Sequence, residues 1–319
     1  MKQITLIALA IATIWGTGLS QQNITLEAIW KNYEFFPRSV PGFNFLKDGK
    51  HYTRLEDNKI QQYDLTTGTL VATIFNPAAT EGDSGFDGSV DGYTFSEDEN
   101  KILIESGTEP IYRRSSRANF FVYDRSTRKL TKLFDRGKQL YATFNPRADK
   151  VAFVFENNLY FRDLATGNLA QLTEDGEQNK IINGSTDWVY EEELSFAQAF
   201  SWSPDGQHIA CYRFDESEVK QFTMTNYHDE LYPEYYTFKY PKVGEANSKV
   251  DIFVYNLESG KAVKADLGAE QDIYIPRVKW AGPGQLCIYR LNRHQNELEL
   301  LLADPLTGAT RQLLYEKNK

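Results

Sequence analysis

The stretch Lys150–Gly167, KVAFVFENNLYFRDLATG, joins a β-rich run to a polar turn and indicates the type of fold. Its first six residues, Lys150 to Phe155, carry the aromatic and β-branched side chains that favour a strand. Its last six, Arg162 to Gly167, contain the Asp, Thr and Gly that close a turn before the chain re-enters a strand. The stretch therefore predicts short strands joined by tight turns.

Two such patterns recur along the chain in a fixed order. The turn pattern occurs also at Tyr63–Gly68, Tyr123–Arg128, Tyr255–Gly260 and Ala303–Gly308. The other pattern is an aromatic residue, then turn residues and a β-rich run, at Phe45–Gly49, Phe95–Asp98, Phe144–Pro146, Trp202–Gly206 and Trp280–Gly284. Copies recur at roughly 40 to 60 residues, close to the length of a four-stranded propeller blade. The sequence predicts an all-β fold with about five β-propeller blades in residues 43–319. A β-sandwich with similar hairpins is the alternative.

One interval between copies, from Asp163 to Asn256, is longer than the others. It contains the segment Tyr227–Tyr240, which we expect to project from its blade as an arm. Its five tyrosines (Tyr227, Tyr232, Tyr235, Tyr236 and Tyr240) either contact a partner or pack the arm on the blade. Before the first blade, Ile24 to Trp30 has apolar residues at helical spacing and predicts one short helix.

Composition limits the class of protein. The 35 basic and 44 acidic residues give a net charge of -9, which argues against nucleic acid as a partner. Cys211 and Cys287 lie in apolar strand-like runs and are predicted to be reduced and buried. No histidine or cysteine pair has ligand spacing, so neither a metal nor another cofactor is predicted.

The first 20 residues have the pattern of a secretory signal peptide. Lys2 precedes the apolar run Ile4–Trp15, and the small residues Gly16–Ser20 follow it. This pattern predicts a secreted or periplasmic protein, with residues 21–42 as a separate N-terminal segment. An uncleaved membrane anchor is the less favoured alternative, because the apolar run is short for a span of about 20 residues.

Three consecutive glutamates, Glu191, Glu192 and Glu193, lie between aromatic and aliphatic neighbours in the run Asp187–Phe196. Carboxylates partly withdrawn from water need a cation or hydrogen-bond donors to offset the lost hydration. The run therefore indicates a receptor for positive charge. From spacing alone, a solvated acidic face is the alternative.

Further segments occur in a fixed order after that run: Trp202–Gly206, Phe238–Ser248, Tyr274–Arg277 and Leu291–Asn296. Together with Asp187–Phe196 they resemble the N-terminal region of dipeptidyl peptidase IV, a serine exopeptidase family within the prolyl oligopeptidases. The resemblance implies that Glu192 and Glu193 bind the α-amino group of a peptide substrate. It also implies that Arg113, on a neighbouring loop, orients the substrate, with Arg114 as the adjacent alternative.

The chemistry of this candidate site is consistent with that role. An ammonium group between two glutamates is held by charge-assisted hydrogen bonds worth about 1.5–3 kcal/mol each. Arg113 offers planar donors to a substrate carbonyl, a geometry that lysine reproduces poorly. The alternative is that Arg113 only neutralises the glutamates in a structural ion pair.

The resemblance implies an eight-bladed propeller followed by an α/β-hydrolase domain that carries the serine, aspartate and histidine of catalysis. No Gly-x-Ser-x-Gly elbow occurs in this sequence, so no catalytic residue is assigned and the chain alone is expected to be inactive. The expected function is the propeller portion of a peptidase that releases Xaa-Pro or Xaa-Ala dipeptides. Its expected partners are peptides with a free N-terminus, the missing hydrolase domain and, as an open possibility, a second copy in a homodimer. The alternatives are a non-catalytic exported propeller that binds peptide or protein ligands, and a structural propeller whose acidic cluster is incidental.

Overall fold

The computed structural model describes residues 24–319 except 38, 40, 41, 83, 84 and 283. The described residues divide into two units, one that ends at Gly42 and one that spans Phe43–Lys319. The predicted signal peptide lies outside the described residues. In the first unit the predicted short helix is present as a π-helix, Glu27–Lys31, in which the amide of Asn32 donates to the carbonyl of Glu27 at 2.8 Å.

The described residues of the second unit form six β-sheets, five of four or five strands that are the blades in chain order and one two-stranded hairpin, which confirms the predicted all-β propeller blades. Blade 1 is β1 to β4: Asn44–Phe45, His51–Glu56, Lys59–Asp64 and Leu70–Phe75. Blade 2 is β5 to β9: Glu81–Gly82, Gly92–Phe95, Lys101–Pro110, Ser116–Asp124 and Lys129–Lys132. Blade 3 is β10 to β13: Leu140–Phe144, Lys150–Phe155, Asn158–Asp163 and Leu169–Gln171. The short 3-10 helix Pro77–Ala79 separates blades 1 and 2.

Blade 4 starts with β14 (Ile181–Asn183), β15 (Phe200–Trp202) and β16 (His208–Asp215). The α-helix α1, Trp188–Glu193, lies between β14 and β15. The predicted arm follows as the hairpin β17 (Gln221–Asn226) and β18 (Glu234–Lys239), and β19 (Lys249–Asn256) and β20 (Ala262–Lys264) complete the blade. Blade 5 is β21 to β24: Ile273–Trp280, Leu286–Asn292, Glu297–Ala303 and Thr310–Lys317.

The two sequence patterns occupy equivalent places in every blade. The aromatic pattern joins two strands early in each blade, and the polar turn joins the last two. In the turn after β12, Asp163 Oδ1 accepts from the amides of Ala165 and Thr166 and from the Thr166 hydroxyl, and Gly167 adopts φ +75°. These donors help to hold the pKa of Asp163 at about 2. The turn chemistry thus follows from local sequence.

The core lies between successive blades because alternate residues of each strand point to opposite faces. In β11, Val151 and Phe153 join a cluster shared with blade 2, whereas Ala152 and Val154 join one shared with blade 4. The largest cluster lies between blades 4 and 5 and includes Tyr190 of α1. Packing on both faces explains why the inner strands read as nearly continuous apolar runs. Cys211 is buried in β16 and Cys287 is half-buried in β22, and both thiols are free.

The arm tyrosines divide between two environments. Tyr227, Tyr232 and Tyr235 are exposed, with 59%, 81% and 72% of their surface accessible. Tyr236 contacts Tyr112, and Tyr240 contacts Trp188. Of the two alternatives for these tyrosines, packing of the arm on the blades applies to Tyr236 and Tyr240. The other three face solvent.

Among the described residues, no helix is long and apolar enough to cross a membrane.

Candidate functional site

The helix α1 carries the three glutamates and is fixed at its beginning by Asp187. This side chain caps the helix by accepting from the amide of Tyr190 at 2.9 Å, and it accepts from the hydroxyl of Ser248 at 2.6 Å. Asp187 is buried, and burial raises the pKa of its carboxyl. The buried Tyr190 accepts at its hydroxyl from the amide of Ile275 in β21 at 2.9 Å. The short helix is thus held by both blade 4 and blade 5.

Successive residues of a helix point about 100° apart, so the three glutamates meet different surroundings. Glu191 is buried, and its Oε1 accepts from the amides of Arg114 and Ser115 at 2.7 and 2.9 Å. Glu192 is half-buried and lies 3.1 Å from Nε of Arg113. Glu193 is exposed, and its carboxylate makes no hydrogen bond or ion pair within the part of the chain that the structure describes.

The loop between β7 and β8 brings Arg113 to this helix. It is a tight turn in which the amide of Ile111 donates to the carbonyl of Ser115 at 2.8 Å, and the amide of Tyr112 donates to the Ser115 hydroxyl at 3.2 Å. Arg113 is 73% exposed at its side chain. Arg114, the adjacent alternative, points to a different group, because its guanidinium donates to Oγ of Ser195 at 3.2 Å.

The structure therefore brings together Arg113 and Glu192, and Glu193 follows directly on the same helix. Glu192 alone contacts the guanidinium of Arg113, and the carboxylate of Glu193 has no cation partner among the described residues. Such a site can accept one further cation. The binding roles of these three residues stay a prediction.

Two cavities flank α1. One of about 1840 Å³ lies between the helix, the arm and loops of blade 5, and Trp188, Glu193, Phe222, Tyr240 and Arg293 contribute to its wall. The other, of about 820 Å³, is lined by residues from the Arg113 loop, α1 and the arm: Tyr112, Asp187, Glu191, Glu216, Tyr236 and Lys239. The predicted cation-binding residue Glu193 thus faces open space large enough for a peptide.

Glu216 in the smaller cavity carries an unusual carboxyl group. Burial, together with the charge of Asp187, raises its pKa from 4.5 to about 7, and Lys239 acts in the opposite direction. Only 6% of Glu216 is exposed. Its carboxyl therefore changes charge near neutral pH, in the wall of the same cavity as the helix cap Asp187.

Sequence reasoning missed the contacts of Glu191 and Tyr112 and the raised pKa of Glu216. The signal for Glu191 is weak, because the sequence does not distinguish a buried carboxylate of an acidic run from its exposed neighbours. Its hydrogen-bond donors come from another blade. Tyr112 offered a clearer signal, because an aromatic residue directly before the candidate arginine is suited to anchor that loop. Glu216 offered none. The described residues contain no group of three His, Cys, Asp or Glu side chains that could hold a metal.

Comparison with known proteins gives the relationship of the chain. Residues 96–319 match the family model described as the dipeptidyl peptidase IV N-terminal region. Prolyl endopeptidase FAP of Homo sapiens is 29% identical over 282 residues, which cover 85% of this chain and 35% of that protein. Inactive dipeptidyl peptidase 10 of Mus musculus is 30% identical over 226 residues, which cover 68% of this chain and 28% of that protein.

A solved structure is similar over nearly the whole chain. The crystal structure of Porphyromonas gingivalis dipeptidyl peptidase 4 superposes with a TM-score of 0.86 at 34% identity, covering 93% of this chain and 43% of that one. The chain thus spans less than half the length of these relatives. The family model covers most of the five blades and includes both α1 and the Arg113 loop. The chain therefore belongs to the dipeptidyl peptidase IV N-terminal region family, whose propeller blades it forms.

Proposed function

We propose that this chain is the propeller portion of a serine exopeptidase that releases Xaa-Pro or Xaa-Ala dipeptides from peptide N-termini. In this proposal Glu192 and Glu193 bind the α-ammonium group of the substrate, and Arg113 orients the first peptide carbonyl. The α/β-hydrolase domain of the complete enzyme supplies the serine, histidine and aspartate. The observation that carries the proposal is the Arg113–Glu192 contact of 3.1 Å beside the unpaired Glu193.

The charge balance of the site explains why a free amino terminus is favoured. One guanidinium leaves one of the two carboxylates without a cation, and an ammonium group satisfies it with charge-assisted hydrogen bonds. A neutral amide at the same place offers one donor and no charge. The propeller would thereby bind peptide N-termini and place the carbonyl of the second residue at the position of the reaction.

Binding of a matched peptide pair tests this role. The purified chain is titrated with a Gly-Pro peptide that has a free N-terminus and with its N-acetylated twin, by calorimetry. We expect the free amine to bind at least about tenfold more tightly, since acetylation removes the charge-assisted hydrogen bonds. Glu192→Gln and Glu193→Gln should each remove most of this preference. Glu258→Gln, at an exposed position in a blade 4 turn, is the matched control and should keep it.

Equal affinity for both peptides in the wild-type chain would exclude the proposed role. A hydrolysis assay with a chromogenic Gly-Pro substrate tests the activity itself. We expect turnover by a longer form of the protein that carries the hydrolase domain, and none by the 319 residues alone.

A non-catalytic exported propeller that binds peptides is the second candidate. Its support is the similarity to a relative whose name marks it as an inactive dipeptidyl peptidase. Under this alternative, amine-dependent binding persists while the longer form hydrolyses nothing. Export to a secreted or periplasmic location, and pairing as a homodimer, belong to both candidates as proposals.

A further inference from the structure

The inner face of the arm contacts both elements that carry the candidate site. Residues 236, 238 and 240 alternate along and just beyond β18, so their side chains lie on one face. The Tyr236 hydroxyl is 2.9 Å from that of Tyr112, and the ring of Phe238 is 6.1 Å from the Tyr112 ring. The ring of Tyr240 is 4.4 Å from that of Trp188.

These contacts reach the two elements that carry the predicted binding groups. Tyr112 precedes Arg113 in the loop after β7, and Trp188 is the first residue of α1. The loop and the helix are also joined to each other, because Glu191 accepts from the amides of Arg114 and Ser115. Arm, loop and helix therefore form a closed set of three contacts, and two of these elements carry the Arg113–Glu192 pair.

The two sides of the hydroxyl pair are packed differently. Tyr112 is half-buried in the wall of the smaller cavity, and its ring lies against Phe238, which is 7% exposed. The Tyr236 ring stacks on Phe238 at 5.3 Å but remains 40% exposed. Removing one hydroxyl group would therefore leave both rings supported by Phe238. The hydrogen bond is a contact that can be removed separately from the packing.

We propose that the arm is a positioning element for the amine-binding site, and that the Tyr112–Tyr236 hydroxyl pair holds the Arg113 loop against Glu192. Tyr112 and Tyr236 are positioning residues in this scheme, since neither needs to touch the substrate. The inference rests on the proposed function for its effect on affinity. The link between arm and loop can be measured without any peptide.

A two-stranded hairpin alone is marginally stable in water, so the arm depends on its contacts with the body for its position. Loss of one anchoring hydrogen bond then lets the arm and the attached loop open more often. Opening of the loop exposes the amides of Arg114 and Ser115, which Glu191 otherwise accepts from. Hydrogen exchange at these two amides therefore reports directly on the link.

The experiment compares Tyr236→Phe, Tyr112→Phe and the double variant with the wild-type chain. Tyr235→Phe is the matched control, because Tyr235 lies on the same strand but on the opposite face and is 72% exposed. Hydrogen exchange is followed in segments 111–116 and 188–196. Affinity is measured for the free-amine and N-acetylated Gly-Pro peptides.

We expect faster exchange of the 111–116 segment in both single variants and no change in the control. The free-amine peptide should bind about two- to tenfold more weakly to each single variant, because one hydrogen bond between neutral groups is lost. The double variant should lose no more than either single one, since both substitutions break the same contact.

Unchanged exchange in the single variants would overturn the inference. Unchanged affinity of the single variants for the free-amine peptide would also overturn it, provided that the wild-type chain prefers the free amine. Losses of affinity that add in the double variant would overturn it as well. If the wild-type chain shows no preference for the free amine, the proposed function fails, and the exchange data alone decide whether the arm positions the loop.

Discussion

Oε1 of Glu191 lies 2.7 Å from the backbone nitrogen of Arg114, which joins the helix of blade 4 to a loop of blade 2. The same oxygen also accepts from the amide of Ser115, a residue that is 5% exposed. The first glutamate of the triplet thus fixes the loop on which Arg113 lies, while the second contacts Arg113 itself. A carboxylate that fixes the loop and one that is predicted to bind substrate are thus adjacent in the chain.

Two substitutions of Glu191 distinguish the hydrogen bonds that its carboxylate accepts from the charge that it carries. Glu191→Ala leaves the buried Ser115 amide without its acceptor, and we expect a loss of about 1–3 kcal/mol in the free energy of unfolding. Glu191→Gln keeps an oxygen that can accept both hydrogen bonds, so it should retain most of the stability and most of the free-amine affinity. Urea unfolding measures the first quantity and peptide titration the second. Equal damage by both substitutions would show that charge, rather than acceptance of the two amides, is the contribution of Glu191.

Arg113 should matter for binding and little for stability. Its side chain is 73% exposed, and an exposed ion pair contributes about 0–1 kcal/mol to folding. Arg113→Ala should therefore leave the urea midpoint nearly unchanged and weaken the free-amine peptide by at least about tenfold, because the donors to its carbonyl are lost. Arg113→Lys keeps the charge without the planar guanidinium, so its affinity for the free-amine peptide should lie between those of the wild-type chain and Arg113→Ala. Arg114→Ala is the control. An equal loss of peptide affinity in this variant would contradict the assignment of the binding role to Arg113.

Glu216 should make the stability depend on pH. Its pKa in the folded chain, raised to about 7 mainly by burial, exceeds the ordinary value of 4.5. The folded state therefore binds the proton more tightly than the unfolded state. The resulting stabilisation is fully present below about pH 4.5 and is lost as pH rises through about 7. This loss lowers the free energy of unfolding by at most about 3 kcal/mol.

Glu216→Gln removes this titration. The free energy of unfolding of the wild-type chain relative to the variant should fall between pH 5 and pH 8, as measured by urea unfolding at each pH. Glu218→Gln provides a control two residues away, because Glu218 has 68% of its side chain exposed. A constant difference between wild type and Glu216→Gln across this range would contradict the assignment.

The Tyr190 hydroxyl should be important for the contact between blades 4 and 5. It accepts from the amide of Ile275, and both residues are fully or nearly fully buried. Tyr190→Phe leaves that amide unsatisfied and should cost about 1–3 kcal/mol of unfolding free energy, measured in urea. Tyr232→Phe removes the same group from an 81% exposed arm position and should cost almost nothing. A similarly small loss for Tyr190→Phe would mean that water replaces the hydroxyl as the acceptor.

Local features of this chain could be predicted from its sequence, and contacts between blades could not. The turn at Asp163 depends on residues within three positions of it, so its residues indicate its structure directly. The arm could be predicted because an extra segment interrupts the repeat between Asp163 and Asn256. By contrast, the burial of Glu191 depends on donors 76 and 77 residues away along the chain.

The environments of the arm tyrosines follow the same logic. Tyr235 and Tyr236 are neighbours of the same residue type, and only the register of β18 decides which one reaches Tyr112. A slip of one residue would exchange their faces. Sequence therefore indicated that these tyrosines contact something, but could not divide them between blade and solvent.

The six-residue helix α1 is too short to be stable as an isolated segment. Its cap is completed by Ser248, 61 residues later, and its loop partner Ser115 lies 76 residues earlier. Formation of the candidate site thus requires the closure of long loops and belongs to the slow, non-local stage of folding. A synthetic peptide that spans residues 186–196 should be a random coil with no preference for free amino termini, however completely it reproduces the acidic motif.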